Sequence, residues 1–411
     1  MSTSRETFDV VVIGAGPSGV VASALLNKNF HRVLVVEKQY FPRFSIGESL
    51  LPQCMTFLEQ ANMLSAVEAA GFQYKNGAAF ARGEETAHFD FNEKLTNGWG
   101  STYQVERGRF DKTLADEAVR QGVTIRYGHS LTGFDSRENI VFLKVQDECG
   151  QCYRISAKFV LDASGFGRVL AGLLDLEKPS RFAARTSIFT HIKDNISDHL
   201  FDRNKILITV HPKIHDVWYW LIPFRDGRAS VGVIAPDNLL AEMQGDSKDQ
   251  LKSLIAQGGR LSQLLNNSDF DTRIGTIQGY SADVKQLFGN GFALLGNAGE
   301  FLDPVFSSGV TIALKSASLA ADVLDRQLRG LNVDWNQEFT QPLMQGVNTF
   351  RHFVEAWYDG RLQDIIFATD KNESVKRMIC SILAGYAWDG DNPFVKDSSR
   401  IDTLAKLCRA R

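Results

Sequence analysis

Val10-Val11-Val12-Ile13-Gly14-Ala15-Gly16-Pro17-Ser18-Gly19 is the stretch that decides the fold. Four consecutive β-branched residues read as a buried strand, and the glycines that follow break it into a turn. Val20–Asn27 then reads as a helix and Val33–Val36 as a second buried strand, ending in Glu37. Each glycine of Gly14-x-Gly16-x-x-Gly19 has its own duty in a nucleotide-binding βαβ unit. Gly14 permits the tight turn, Gly16 lets the backbone approach a pyrophosphate, and Gly19 lets helix and sheet pack closely. The helix N-terminus presents free N–H groups and the positive end of its dipole to phosphate. Glu37 lies 23 residues beyond Gly14, where a carboxylate accepts hydrogen bonds from ribose hydroxyls. A 2′-phosphate would be repelled there, which argues against NADP.

Two distant segments narrow the ligand to FAD. Phe159-Val160-Leu161-Asp162-Ala163-Ser164-Gly165 is an apolar strand ending in Asp-x-x-Gly. Leu294-Leu295-Gly296-Asn297-Ala298-Gly299 is a strand ending in a glycine turn, and a second helix N-terminus is expected near residues 307–311. FAD is long enough to need such remote contacts, whereas an isolated NAD site is not.

The rest of the chain fits around this unit. With 411 residues there is material for a large core. The expected class is α/β: a Rossmann-type three-layer FAD domain with an inserted antiparallel sheet and a helical C-terminal tail. Residues 1–340 form the interleaved FAD domain and substrate-side sheet, the sheet lying mainly in 181–235, and residues 341–411 form the tail. Residues 181–235 carry that sheet because they alternate and are rich in β-branched and aromatic residues. Residues 107–122 read as a helix burying Phe110, Leu114, Ala118 and Val119. A net charge of −3 gives no reason to expect nucleic acid or an anionic membrane as partner. Residues 1–7 are polar, and no run approaches the ~20 apolar residues of a membrane span. Together with five scattered cysteines, this predicts a cytoplasmic protein. Cys149-Gly-Gln-Cys152 lies between two strand-like runs and reads as a hairpin turn. No second ligand pair accompanies it, so no metal site is expected.

Beyond the glycine turn, the chain resembles the flavin-dependent halogenases of the phenol and pyrrole type, with their p-hydroxybenzoate-hydroxylase-like fold. Trp218-Tyr219-Trp220-Leu221-Ile222-Pro223 fits the family's W-x-W-x-I-P, and Phe301 to Gly309 fits its F-x-x-P-x-x-S-x-G. Phe72-Gln73-Tyr74-Lys75-Asn76-Gly77-Ala78 is similar to the segment that carries the halogenase lysine. Gly47-Glu48-Ser49-Leu50-Leu51-Pro52 and Gln104-Val105-Glu106-Arg107 match flavin-side segments. The resemblance implies FAD reduced by a separate flavin reductase, and hypohalous acid formed from oxygen and chloride or bromide. The acid travels inside the protein to Lys75, which passes the halogen to an electron-rich ring. It implies cofactor contacts at Gly14, Gly16, Gly19, Glu37, Lys38, Ser45, Gly47, Glu48, Arg107, Asp162, Gly296, Asn297, Pro304, Gly309 and Val310. Halide is implied at Ser308 and Gly309, and a wall that keeps substrate from the flavin at Trp218, Trp220, Pro223 and Phe306.

Read physically, Lys75 follows an apolar stretch, where burial would turn it into a reactive amine; a surface lysine before an Asn-Gly turn is the plainer alternative. Trp218 and Trp220 share one strand face, as a shield or as simple core packing. Ser307-Ser308-Gly309 can bind an anion or merely cap a helix. Phe306 stands where tryptophan halogenases carry a glutamate, which implies an already activated phenol- or pyrrole-like substrate. A substrate tethered to an acyl or peptidyl carrier protein would call for basic residues, with Arg351, His352 and Arg361 as candidates. Asn297 replaces an aspartate common in relatives, so weaker FAD binding is expected. Trp357, Tyr358, Phe367, Tyr386, Trp388 and Phe394 in the tail either line a cleft or close the core. The alternatives to a halogenase are an FAD-dependent monooxygenase or reductase of the same fold, or a flavin-binding module without chemistry.

Overall fold

The computed structural model describes residues 6–197, 199–368 and 372–409. Its first layer is a mixed eight-stranded sheet whose parallel centre runs in the order Phe292–Leu294, Cys152–Asp162, Glu6–Ile13, Val33–Glu37, Thr124–Tyr127. Val10, Val11, Val12 and Leu34, Val35 are buried on both faces, as strands covered by helices must be. Pro17–Lys28 leaves the first strand through Gly14, whose φ of +94° closes the turn. Pro17 opens this helix at a position that needs no N–H donor. The helices Ser308–Leu328 and Arg107–Arg120 pack against it. Val119, expected on the buried face of the latter, is 50% exposed. It lies about 100° of helix beyond Ala118, off the stripe that Phe110, Leu114 and Ala118 define.

The second sheet has seven strands: Gly275–Gln278, Arg185–Lys193, Arg228–Pro236, Trp218–Pro223, Lys205–Val210, Gly77–Arg82 and Glu85–Asp90. Its centre is the expected 181–235 segment, but it is wider than that. It also departs from a purely antiparallel plan, because Lys205–Val210 and Gly77–Arg82 run parallel. Period-two alternation gives the sheet two characters. Phe189, Ile206, Ile208, Trp218, Trp220 and Ile222 join the main core, toward the nucleotide domain. Ile188, Leu207, Tyr219, Leu221 and Val231 form a separate core under the helices Ser247–Ala256 and Arg260–Leu264.

The tail is helical as expected: Gln341–Tyr358, Arg361–Phe367, Glu373–Leu383, Pro393–Lys396 and Arg400–Arg409. Cys149 falls in the turn between Ile140–Gln146 and Cys152–Asp162, and both Cys149 and Cys152 are exposed and free. Among the described residues no helix is long and apolar enough to cross a membrane.

Candidate functional site

A cavity of about 620 Å3 runs from the glycine turn to the tryptophan strand. That size lies within the range of small-molecule and cofactor sites. At one end stand Gly14, Gly16, Pro17 and Ser18, with Glu37 and Lys38 beside them. Glu37 is buried, and its carboxylate accepts the N–H groups of Ala15 (2.7 Å) and Gln39 (2.8 Å). The acid therefore shapes the turn as well as facing the cavity. A Cβ on Gly19 would sit 2.0 Å from the Gly14 carbonyl oxygen, so this glycine serves packing. A Cβ on Gly16 would meet only Arg43 Nη2, at 3.6 Å, so the protein itself leaves room there. The space over Gly16 is what a close backbone–phosphate contact requires, and the donor set fits a dinucleotide.

The middle of the cavity is walled by Arg43 to Ser49, Arg107, Ser164 to Gly167 and Asn297. Arg107 pairs with Asp111 (2.8 Å) and donates to the Ile46 carbonyl (2.5 Å), which pins the Ile46-Gly47 bend to its helix. Gly47 needs its φ of +94°, and a Cβ there would press on Arg107. Asp162 is buried and accepts from the N–H groups of Ser164 (2.9 Å) and Leu170 (2.6 Å). It holds the 163–169 wall from behind and is not itself on the cavity surface. Gly296 is likewise behind the wall, against Ala313, with its N–H on Ser316 Oγ (2.9 Å). Glu48 is buried and meets His191 Nε2 at 2.6 Å.

At the far end Trp218, Trp220, Ile222, Ile206 and Ser187 form one face, with the two indoles 6.0 Å apart. Pro304, Ser307, Gly309 and Val310 close the other side. Ser307 adopts a left-handed φ of +56° and makes no side-chain cap, so the simple serine-cap alternative does not describe it. Ser308 is buried and off the surface of the cavity. Phe306 also faces away, edge-on to Phe353 and Trp357 of the tail. Pro223 ends the tryptophan strand beyond the cavity wall.

Lys75 is 1% exposed. Its Nζ donates to Ser49 Oγ (2.7 Å) and to the Leu50 carbonyl (2.7 Å), and it stands 5.3 Å from the Phe91 ring centre. Burial lowers its pKa from the ordinary 10.5 to about 7. The surface-lysine alternative is thereby removed. Lys75 does not touch the cavity; Ser49, which accepts its hydrogen bond, does.

Sequence reasoning missed Arg43, Phe44, Ser49, Ser187 and Tyr280 on the cavity wall. Two left a readable sign: Ser49 sits inside the flavin-side match Gly47–Pro52, and Ser187 shares strand parity with Phe189 on a strand that alternates. Of the basic residues considered for a carrier protein, the two arginines are already paired. Arg351 bonds Glu300, Arg361 bonds Asp359 and Asp402, and His352 lies 3.6 Å from Asp402. Of the tail aromatics none lines this cavity. Trp357, Tyr386 and Phe394 are buried, and Phe367 reaches a separate hollow of about 650 Å3 beside Arg82 and Ile379.

The His191–Glu48 pair carries a pH signature. Burial lowers the imidazole pKa, but the Glu48 hydrogen bond and charge outweigh it, and the net shift is upward. A raised folded-state pKa stabilises the protein fully below the unfolded value of 6.5, and this is lost as pH rises through the folded value. His191→Asn is therefore expected to cost more stability at pH 5.5 than at pH 8.5, read by urea unfolding; an equal cost at both would show that the pair does not titrate as described.

Residues 7–243, more than half of the chain, match the FAD binding domain family. A tryptophan 2-halogenase of Chondromyces crocatus is 31% identical over 82% of this chain, which spans 65% of that relative, less than two thirds of its length. A 1H-pyrrole-2-carbonyl-[peptidyl-carrier protein] chlorinase of Pseudomonas fluorescens is 27% identical over 97% of this chain and 93% of its own. The chain belongs to the FAD binding domain family, and over most of its length it is similar to flavin-dependent halogenases. Among solved structures, a flavoprotein/dehydrogenase from Cytophaga hutchinsonii is 46% identical, covers 98% of this chain and 99% of its own, and superposes with a TM-score of 0.95. Membership accounts for the long cavity, since an FAD-binding flavoprotein must house a dinucleotide and an isoalloxazine along one trough.

Proposed function

We propose that this protein is a halogenase dependent on reduced FAD, acting on an electron-rich phenol- or pyrrole-like ring. The observation that carries the reading is Lys75: buried, able to shed its proton near pH 7, and joined through Ser49 to the FAD cavity. Bound and reduced, FAD supplies the activation of oxygen that turns chloride or bromide into hypohalous acid. The chain's own residues do the rest. Gly14, Gly16 and the N-terminus of Pro17–Lys28 hold the phosphates, and Glu37 holds the ribose. Ser307, Gly309 and Val310 bound the halide end. Trp218 and Trp220 keep the organic ring from the flavin. Ser49 marks the path by which hypohalous acid reaches Nζ, which holds the halogen by hydrogen bonding or as a haloamine. Haloamine formation releases water; the ring then takes the halogen and gives up the proton it replaces, the amine is restored, and Phe306 leaves no carboxylate at that place for a less activated ring. A neutral amine is a better haloamine former than an ammonium, which gives the lowered pKa its purpose.

Two relatives named for a pyrrole ring on a peptidyl-carrier protein make the carrier-bound pyrrole the first tethered substrate to test. The chain is incubated with FAD, a flavin reductase, NADH, bromide or chloride, and either a free activated phenol or a carrier-bound pyrrole, with Lys75→Ala as control. Halogenated product that vanishes in the control is expected. Hydroxylated product in its place would replace this reading with an FAD-dependent monooxygenase. One observation favours that second class, which includes reductases of the same fold: Lys75 itself stops short of the cavity wall. Direct NADH oxidation without the added reductase would identify a reductase.

A further inference from the structure

A buried carboxylate outside the chemistry described so far joins four parts of the fold. Asp303, 4% exposed, stands one residue before Pro304. Its Oδ2 accepts the hydroxyl protons of both Tyr280 (3.0 Å) and Tyr358 (2.8 Å), while Oδ1 accepts the Val305 N–H (3.0 Å). Tyr280 lies on the cavity wall. Tyr358 is the last residue of the tail helix Gln341–Tyr358, and its oxygen accepts the indole N–H of Trp218 (3.0 Å). Arg185 lies over the Tyr358 ring, 3.6 Å from its centre, and fixes the ring plane. The chain of bonds therefore runs from the indole through the tail to the loop that bounds the halide end. Among the described residues the Trp218 indole donates to Tyr358 alone, whereas Trp220 bonds Ser230 within its own sheet.

We propose that Tyr358 and Asp303 are positioning residues that set the indole of Trp218, so that the C-terminal tail holds the wall between flavin and substrate. This rests on the halogenase reading for its consequence, and on the bond geometry alone for its structure. A strand fixes where Trp218 points but leaves its ring free to tilt about χ2. A hydrogen bond from the indole N–H to an oxygen that is itself held by a buried carboxylate removes that freedom. With the bond gone, the wall loosens, hypohalous acid and oxygen equivalents leak, and turnover becomes uncoupled.

The test uses the full chain with 5-fluorotryptophan and a resonance assigned to Trp218 by its absence in Trp218→Phe. Tyr358→Phe keeps the ring and its Arg185 contact but removes the oxygen; Asp303→Asn changes the hub; Tyr386→Phe, another tail tyrosine, is the control. The Trp218 fluorine resonance should move in the first two and stay in the control. Halogenated product per NADH consumed should fall about fivefold in both, the worth of one hydrogen bond. Hydrogen peroxide and free hypohalous acid together should make up the difference, and FAD affinity should not change. A purely structural role would lower melting temperature without altering this partition. An unmoved resonance in Tyr358→Phe, or an unchanged partition beside a halogenating wild type, overturns the proposal. If the wild type makes no halogenated product, the halogenase reading fails by itself, and the fluorine comparison, which needs no turnover, still decides the positioning.

Discussion

Lys75→Met is expected to bind FAD as the wild type does and to lose halogenation by about 10²–10⁴-fold, the range for removal of a group acting on the reacting atoms. The same variant tests the burial of the amine without any substrate. In the folded chain Lys75 gives up its proton near pH 7, and in the unfolded chain near 10.5. Between these values the unfolded state holds one proton more, so wild-type stability rises with pH, by ~1.4 kcal/mol per unit relative to the variant. Below pH 7 both states are protonated and the difference is flat, with the wild type at its greatest disadvantage. Methionine also leaves Ser49 Oγ and the Leu50 carbonyl without their donor. That cost of ~1–3 kcal/mol offsets the curve but does not tilt it, so the slope is the quantity to read. Urea unfolding from pH 6 to 10 measures it. A flat difference would place a hydrated ammonium at this position; a correct slope with intact halogenation would remove Lys75 from the chemistry.

The second large effect separates two glycines of one motif. Gly19→Ala places a Cβ 2.0 Å from the Gly14 carbonyl oxygen and 3.2 Å from the Ala163 Cβ, with nothing flexible to move. A loss above about 4 kcal/mol, or no soluble folded protein, is expected. Gly16→Val should fold normally, because only the end of Arg43 approaches its Cβ. It should lose FAD affinity by about 100-fold or more, roughly 2.7 kcal/mol, because the side chain fills the space for the phosphates. Circular dichroism melts and flavin fluorescence titration distinguish the two. Wild-type affinity in a folded Gly16→Val protein would move the pyrophosphate away from this turn.

The nucleotide unit was legible because its determinants are local: a strand, three glycines, a helix start and a terminal acid within one short stretch. The long cavity was less so. Glu37 was read as a ribose partner, yet its bonds to Ala15 and Gln39 depend on how the turn folds back. Asp162 and Gly296 were found at the right strand ends, but a strand end does not say which atoms face inward. Ser49 and Tyr280 reach the cavity through contacts between segments far apart in the chain. The same distance hid Glu300 as the partner of Arg351 and Asp402 as the second partner of Arg361, which lie about 50 and 40 residues away along the chain. Burial of Lys75 was readable from its apolar flank, but the hydroxyl between it and the cavity was not.

Hydrogen bonds within the protein shape the nucleotide cradle. Glu37 fastens Ala15 and Gln39, Asp162 fastens Ser164 and Leu170, and Arg107 fastens the Ile46-Gly47 bend. The entropy of ordering these loops is thus met during folding and does not fall on the incoming ligand. Such a receptor can accept a cofactor at close to the rate of encounter and release it without unravelling. For an FAD-binding protein, that is traffic of cofactor in both directions across a stationary dock.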